Sequence, residues 1–166
     1  YVDERAIVPR SFIAELLRDR LAPWIADAQR VRSVLDLCTG SGCLAVLAAH
    51  AFPNARIDAA DLSTEALQVA RRNVKDYALG KRVRLVHTDL FDRLAARRYD
   101  LILSNPPYVK AAAMRALPRE YRREPRLALA GGRDGLALVR RMLAQAGAHL
   151  NPKGLLIVEI GHNRAA

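Results

Sequence analysis

Two kinds of apolar pattern alternate along the chain. Short, nearly continuous apolar runs occur at Val31–Cys38 (VRSVLDLC), Ala55–Asp61 (ARIDAAD), Arg82–Asp89 (RVRLVHTD), Tyr99–Asn105 (YDLILSN) and Leu155–Ile160 (LLIVEI). Runs of this length with so little polar alternation predict strands covered on both faces. Between them the apolar positions recur at helical spacing. Ile13, Leu16, Leu17 and Leu21 follow Ser11, a candidate helix cap, and the pattern ends at Pro23. Cys43–Phe52 predicts a buried helix closed by Pro53-Asn54. Ser63 precedes a helix carrying Ala66, Leu67, Ala70 and Val74. Leu136, Val139, Leu143 and Ala146 give one face of a helix over 135–149, and Asn151–Gly154 (NPKG) predicts a turn before the last strand.

Strand alternating with helix predicts an α/β, Rossmann-like domain: a parallel sheet with helices on both faces. Right-handed crossovers bring the C-terminal ends of the strands to one edge, where folds of this kind bind ligands. The division expected is a lead-in segment with the first helix over 1–30 and a catalytic, ligand-binding domain over 31–166.

Composition narrows this picture. A length of 166 residues suits one domain with a real core. Half of the residues are hydrophobic, yet no run is long enough to span a bilayer and no signal-peptide pattern opens the chain, so the sequence reads as cytoplasmic with no membrane partner. The formal net charge is +10. A solvated basic surface accounts for it, and so does a phosphate-rich partner such as ribosomal RNA, with Arg115–Arg126 the densest basic stretch. The two cysteines, Cys38 and Cys43, suit neither a zinc knuckle nor a redox pair. They read as small residues lining a tight turn, and no metal is expected.

The chemistry collects at predicted strand ends. In DLCTGSGCLA, Gly40, Gly42 and Ala45 fit the dinucleotide pattern G-x-G-x-x-A, with Asp61 about twenty residues further on. The loop alone therefore permits a nicotinamide dehydrogenase. Asp36, ending the first strand, argues against a pyrophosphate there and for a ligand with an ammonium group. Asp61 suits two ribose hydroxyls, and Asp89, ending the third strand, suits an adenine amino group. S-adenosylmethionine (SAM) combines an ammonium, an unphosphorylated ribose and an adenine. At the end of the fourth strand stands Asn105-Pro106-Pro107-Tyr108. The side-chain oxygen of Asn105 accepts from an amide or amine N–H, Pro106 adds a carbonyl on a stiff backbone, and Tyr108 offers a flat face. Together they suit a planar –NH2 group held toward a methyl donor.

DLCTGSGC with AADLS, HTDLF and LILSNPPYV resembles the seven-strand SAM-dependent methyltransferases that carry the NPPY motif and act on adenine N6, guanine N2 or a glutamine side-chain amide. The flanks VDERAIVPRSFIAELL and LPREYRREPRLALAGGRDGLALVRRML are similar to the PrmB/HemK family of protein-(glutamine-N5) methyltransferases. Pro9–Ser11 and Glu120–Pro125 stand closer to its PrmB branch, which acts on a large-subunit ribosomal protein, than to the HemK branch, which acts on release factors. The resemblance implies that Cys38, Thr39, Gly40, Ser41 and Gly42 wrap the methionine part of SAM. It implies that Asp61 and Leu62 meet the ribose, that Asp89 and Leu90 border the adenine, and that Asn105, Pro106, Pro107 and Tyr108 hold the substrate glutamine, with Asn105 also beside the cofactor. Cys38 stands where methyltransferases commonly carry glycine. The family pattern includes a helical domain ahead of Tyr1 and two strands beyond EIGHN. The expectation is therefore a sheet ending at its fifth strand, an uncovered apolar edge through which copies associate. The competing readings are a nucleic-acid amino-methyltransferase, a release-factor glutamine methyltransferase, a nicotinamide oxidoreductase and a non-catalytic SAM- or RNA-binding scaffold.

Overall fold

The computed structural model describes residues 1–8, 10–110, 112 and 131–161; Pro9, the basic stretch Arg115–Arg126 and the Glu120–Pro125 motif lie outside the described residues. The elements are α1 (Ile13–Arg18), β1 (Ser33–Leu37), α2 (Cys43–Ala51), β2 (Arg56–Asp61), α3 (Thr64–Asp76), β3 (Val83–His87), β4 (Tyr99–Ser104), α4 (Ala137–Ala146) and β5 (Leu150–Val158). The five strands form one sheet in the order β3-β2-β1-β4-β5. Every pairing is parallel, as the apolar runs predict. Alternate strand residues supply two cores. Val34, Ile57, Ala59, Leu101 and Leu103 face Leu17 of α1, Ala45 and Ala48 of α2, and Val74 of α3. Leu35, Leu37, Ala60 and Ile102 face Phe91, Leu94, and Met142 and Ala146 of α4.

The helix signals hold at α3, where the Ser63 hydroxyl accepts from the Ala66 amide at 3.1 Å. At α1 the helix begins one residue later than a Ser11 cap requires; the Ser11 hydroxyl accepts from the Ile13 amide at 3.2 Å and donates to Glu159 at 2.6 Å. That second bond ties the lead-in segment to the end of β5. The helix also stops short of Pro23. Arg20 takes φ 53°, and the amides of Arg20 and Leu21 return to the carbonyls of Leu17 and Leu16, a Schellman closure with arginine in the glycine position. In α4 the buried residues are Val139, Met142 and Ala146, while Leu143 is exposed. Val139 and Ala146 thus lie on the face expected, and Met142 takes the place expected for Leu143, which points about 100° of helix away from it.

The NPKG turn survives inside β5. Tyr99 pairs with Leu150 and Leu101 with Leu155, so Asn151–Gly154 bulges out of the ladder. Gly154 is required there, because a Cβ would lie 2.9 Å from the carbonyl oxygens of Asn151 and Tyr99. The outer side of β5 carries no strand among the described residues, and Leu155–Val158 are half-buried.

Two carboxylates are buried in the sheet, and they differ. Asp58 accepts both guanidinium nitrogens of Arg84 at 2.8 Å, Arg97 at 3.1 Å and the Tyr99 hydroxyl at 2.7 Å. Asp36 is fully buried; its Oδ2 accepts from the Thr39 hydroxyl at 2.5 Å, while its Oδ1 has no hydrogen-bond partner. Burial pushes the Asp36 carboxyl up from 3.8 to about 7, against the pull of the Thr39 hydroxyl and the Ala45 amide, with the charge of Asp61 adding to the rise. The folded protein thus keeps this proton at pH values where the unfolded chain has lost it. The stability carried by neutral Asp36 is present below about pH 4 and is lost as pH rises toward 7. Asp36→Asn is therefore expected to stabilise the ligand-free protein at pH 8 by roughly 2–4 kcal/mol and to have little effect near pH 4. Urea titrations at the two pH values measure this, and a variant no more stable than its parent at pH 8 refutes it.

Candidate active site

The strand order reverses between β1 and its two neighbours, and the crevice at this switch point is where an open parallel sheet receives a ligand. The register sets Leu37 opposite Ser104, so the turn after β1 and Asn105 after β4 leave the sheet side by side. The turn is held from several directions. The Thr39 amide donates to the Ala60 carbonyl at 3.0 Å, the Gly42 amide to the Thr39 carbonyl at 2.9 Å, and the Asn73 side-chain amide to the Ser41 carbonyl at 2.8 Å. Gly40 has φ 56° with open space where a Cβ would stand. Gly42 has φ 79°, and a Cβ there would lie 3.1 Å from Cβ of Ala70, so this glycine lets α2 start close against α3. Cys38 adopts φ 59°, the left-handed conformation that glycine takes more cheaply. Its thiol is pushed well up by burial and by the nearby Asp61 carboxylate, which keeps it protonated and not nucleophilic.

Asp61 locks this turn to the end of β2. Its Oδ2 accepts from the Gly40 amide and its Oδ1 from the Ser63 amide, both at 2.8 Å. Burial raises its carboxyl, and the amides of Ser63, Gly40 and Leu62 oppose that rise. Each oxygen keeps a further lone pair for a ligand hydroxyl. His87 of β3 donates from Nε2 to the Leu62 carbonyl at 3.0 Å.

One cavity gathers these strand ends. Its wall includes Cys38 and Gly40 from the first turn, Asp61 and Leu62 from the second, Asp89 and Leu90 from the third, and Asn105 and Pro107 from the fourth. The side chain of Asn105 makes no hydrogen bond to any described residue and is half-buried. Asp89 accepts from Arg141 of α4 at 2.9 Å through Oδ2, and this pairing raises the Arg141 guanidinium. Leu90, like Cys38, has a left-handed backbone (φ 46°), so the wall contains two strained non-glycine residues.

The remaining residues expected at the site stand behind the wall. Asp36 lies beneath the turn, Thr39, Ser41 and Pro106 are buried, Gly42 abuts Ala70, and Tyr108 packs among Gly131, Gly135 and Gly161. Sequence reasoning did not anticipate the wall contributed by Arg5, Ala6 and Ile7 of the lead-in segment, Glu65 and Ala66 of α3, and Leu138 of α4. Ala6 packs on Ala66 and Val69, and Arg5 donates to Asp3 and to Gln68. No local pattern announces this segment, because its contacts run to α3 across more than fifty residues.

The residues present fit an adenosine ligand without phosphate. The polar atoms free to accept are carboxylate oxygens and the Asn105 side-chain oxygen, the apolar surfaces are Leu62, Leu90 and Leu138, and the open space lies over Gly40. The orphaned Oδ1 of Asp36 lies beneath the turn and not on the wall.

Comparison with known proteins agrees with this geometry. The chain is 60% identical over 164 residues to the ribosomal protein uL3 glutamine methyltransferase of Neisseria meningitidis, a match covering 99% of the chain and 54% of that protein. It is 58% identical to the protein of the same name from Bordetella pertussis, covering 55% of it. The chain thus spans about half the length of the curated relatives it matches. Among solved structures it is similar to the S-adenosylmethionine-dependent methyltransferase SibL, with a TM-score of 0.56 and 26% identity, over 87% of this chain and 34% of that one. Residues 15–119, which hold the glycine turn, Asp61, Asp89 and the Asn-Pro-Pro-Tyr tip, match a family throughout, and the chain belongs to the methyltransferase small domain family.

Proposed function

We propose that this chain is the catalytic part of a SAM-dependent protein-glutamine N-methyltransferase whose substrate is a large-subunit ribosomal protein. The observation that carries the reading is the joint wall: Asn105, whose side chain makes no hydrogen bond to any described residue, borders the same cavity as Gly40, Asp61 and Asp89. The names of the relatives, ribosomal protein uL3 glutamine methyltransferases, support the substrate class.

In this reading Gly40 and Cys38 border the methionine part of SAM, Asp61 receives the ribose hydroxyls, and Asp89 with Leu90 borders the adenine. Asp36 answers the ammonium end from beneath the turn. SAM, when bound, supplies a methyl carbon on a sulfonium, which takes up the nitrogen lone pair as its bond to sulfur breaks. A carboxamide nitrogen is a poor nucleophile because its lone pair is delocalised into the carbonyl. The Asn105 side-chain oxygen accepts an amide N–H, which raises electron density on nitrogen and fixes its approach. Positioning of this kind contributes on the order of 7–11 kcal/mol in well-oriented reactions. No dedicated base is needed ahead of attack, since the N–H becomes strongly acidic only once nitrogen has gained the methyl group; its proton then leaves to water.

The basic charge supports a contact with ribosomal RNA as well. Arg71, Lys75 and Lys81 line a hollow beside β3, and Arg56 and Lys81 line the adjoining one. None of these four cations has an acidic partner among the described residues. This surface belongs to a different part of the molecule from the cavity, so RNA contact here is docking and not chemistry.

Asn105→Ala in the intact protein is expected to lower methyl transfer at least about 100-fold with SAM affinity nearly unchanged; turnover near the parent's removes Asn105 from the mechanism. Asp61→Ala is expected to weaken SAM by roughly 1.5–3 kcal/mol, and calorimetry showing equal affinity eliminates that role. Tritiated SAM in a lysate lacking the native enzyme is expected to label a glutamine of a ribosomal protein. Label in free RNA instead selects the nucleic-acid methyltransferase, and label in a release factor selects the other glutamine enzyme. Replacing Arg71, Lys75 and Lys81 by alanine is expected to lower the slope of log affinity for ribosomal RNA against log salt by about 2–3; an unaltered slope rules out this docking surface.

A further inference from the structure

Three glycines crowd Tyr108 of the Asn-Pro-Pro-Tyr tip. A Cβ on Gly131 would lie 2.7 Å from Cα of Tyr108, and one on Gly135 would lie 2.4 Å from its carbonyl oxygen. A Cβ on Gly161, just past β5, would lie 2.7 Å from Cδ2 of its ring. Real Cβ atoms do not approach so closely, so each of the three positions admits only glycine while Tyr108 stays where it is. The approach is bonded as well as close: the Gly131 amide donates to the Val109 carbonyl at 2.8 Å. Gly135 has φ 80°, a conformation that favours glycine independently of the contact.

We propose that Gly131, Gly135 and Gly161 form a backbone clasp on Tyr108 that fixes the Asn-Pro-Pro-Tyr tip, and with it the Asn105 side chain on the cavity wall, so that these glycines govern the rate of methyl transfer and not the binding of SAM. The inference rests on the proposed function, in which Asn105 accepts from the acceptor amide. The two prolines fix the tip on its N-terminal side, where Pro107 borders the cavity. On the C-terminal side two turns of chain from distant parts of the sequence close on the tyrosine. Gly131 and Gly135 hold its backbone, and Gly161 bears on its ring. Neither the three glycines nor Tyr108 line the cavity, so their effect on an acceptor passes along the tip to Pro107 and Asn105, which do. They are positioning residues.

The mildest test is Gly161→Ala in the intact protein, since its added methyl meets a ring edge and not backbone. Gly147→Ala, which has open space around it, is the control and is expected to behave like the parent. With a glutamine-bearing ribosomal protein as acceptor, Gly161→Ala is expected to lower kcat about 10- to 100-fold, as misplacement on the order of 1 Å does, with the SAM dissociation constant within about twofold of the parent's. Equal kcat in a folded variant overturns the proposal, and so does a parallel fall in kcat and SAM affinity, which marks a structural defect. If Gly161→Ala melts early, adding Tyr108→Ala removes the ring that is struck. Recovery of the melting temperature supports the clasp, and no recovery overturns it. A parent protein that binds SAM but methylates no glutamine instead refutes the proposed function.

Discussion

The pairing of β1 with β4, Leu37 opposite Ser104, is the constraint from which the site follows. Two parallel strands in register must end together, and here one ends in a glycine turn and the other in Asn105. Ser104 strengthens the junction by donating its hydroxyl to the Leu37 carbonyl at 2.8 Å. The order of the sheet reverses there, so the crossovers part to opposite faces and leave a crevice between the two strand ends. A slip of the register would separate the turn from the asparagine while leaving each motif intact.

Around that junction the fold accepts local cost. Asp36 is buried with one oxygen unmet, whereas Asp58, at a comparable depth on the same sheet, is satisfied by two arginines and a tyrosine. Cys38 and Leu90 hold left-handed backbone angles on the cavity wall. Strain and an unpaired buried acceptor tend to gather where a ligand completes the structure. The contrast between the two aspartates makes the argument sharper, since the same residue type, one register position apart on neighbouring strands, is treated in opposite ways.

The site is also assembled from both ends of the chain. Arg5, Ala6 and Ile7 wall the cavity from the lead-in segment, and Ser11 bonds Glu159 at the end of β5. Gly161 follows two residues later and meets the ring of Tyr108. The lead-in segment, the end of β5 and the NPPY tip therefore form a connected set of contacts beside the cofactor turn. This gives the two ends of the described chain a direct mechanical relation to the tip that carries Asn105.

How much of this the chain announces depends on the range of the interaction. Strand identity, the Ser63 cap and the glycine turn rest on apolar runs, a hydroxyl near its own helix and backbone angles, all settled within a few residues, and these were legible. The set of acids at successive strand ends was legible too, because parallel topology turns strand order into position. Helix phase was less so: Met142 and not Leu143 faces the sheet, a choice made by packing against Phe91 and Leu94. The Arg141 partner of Asp89, the wall of Arg5 to Ile7 and the glycine clasp on Tyr108 were beyond reach of the sequence. Each joins segments dozens of residues apart, and nothing in local propensity records which distant surface a side chain will meet once the sheet has closed.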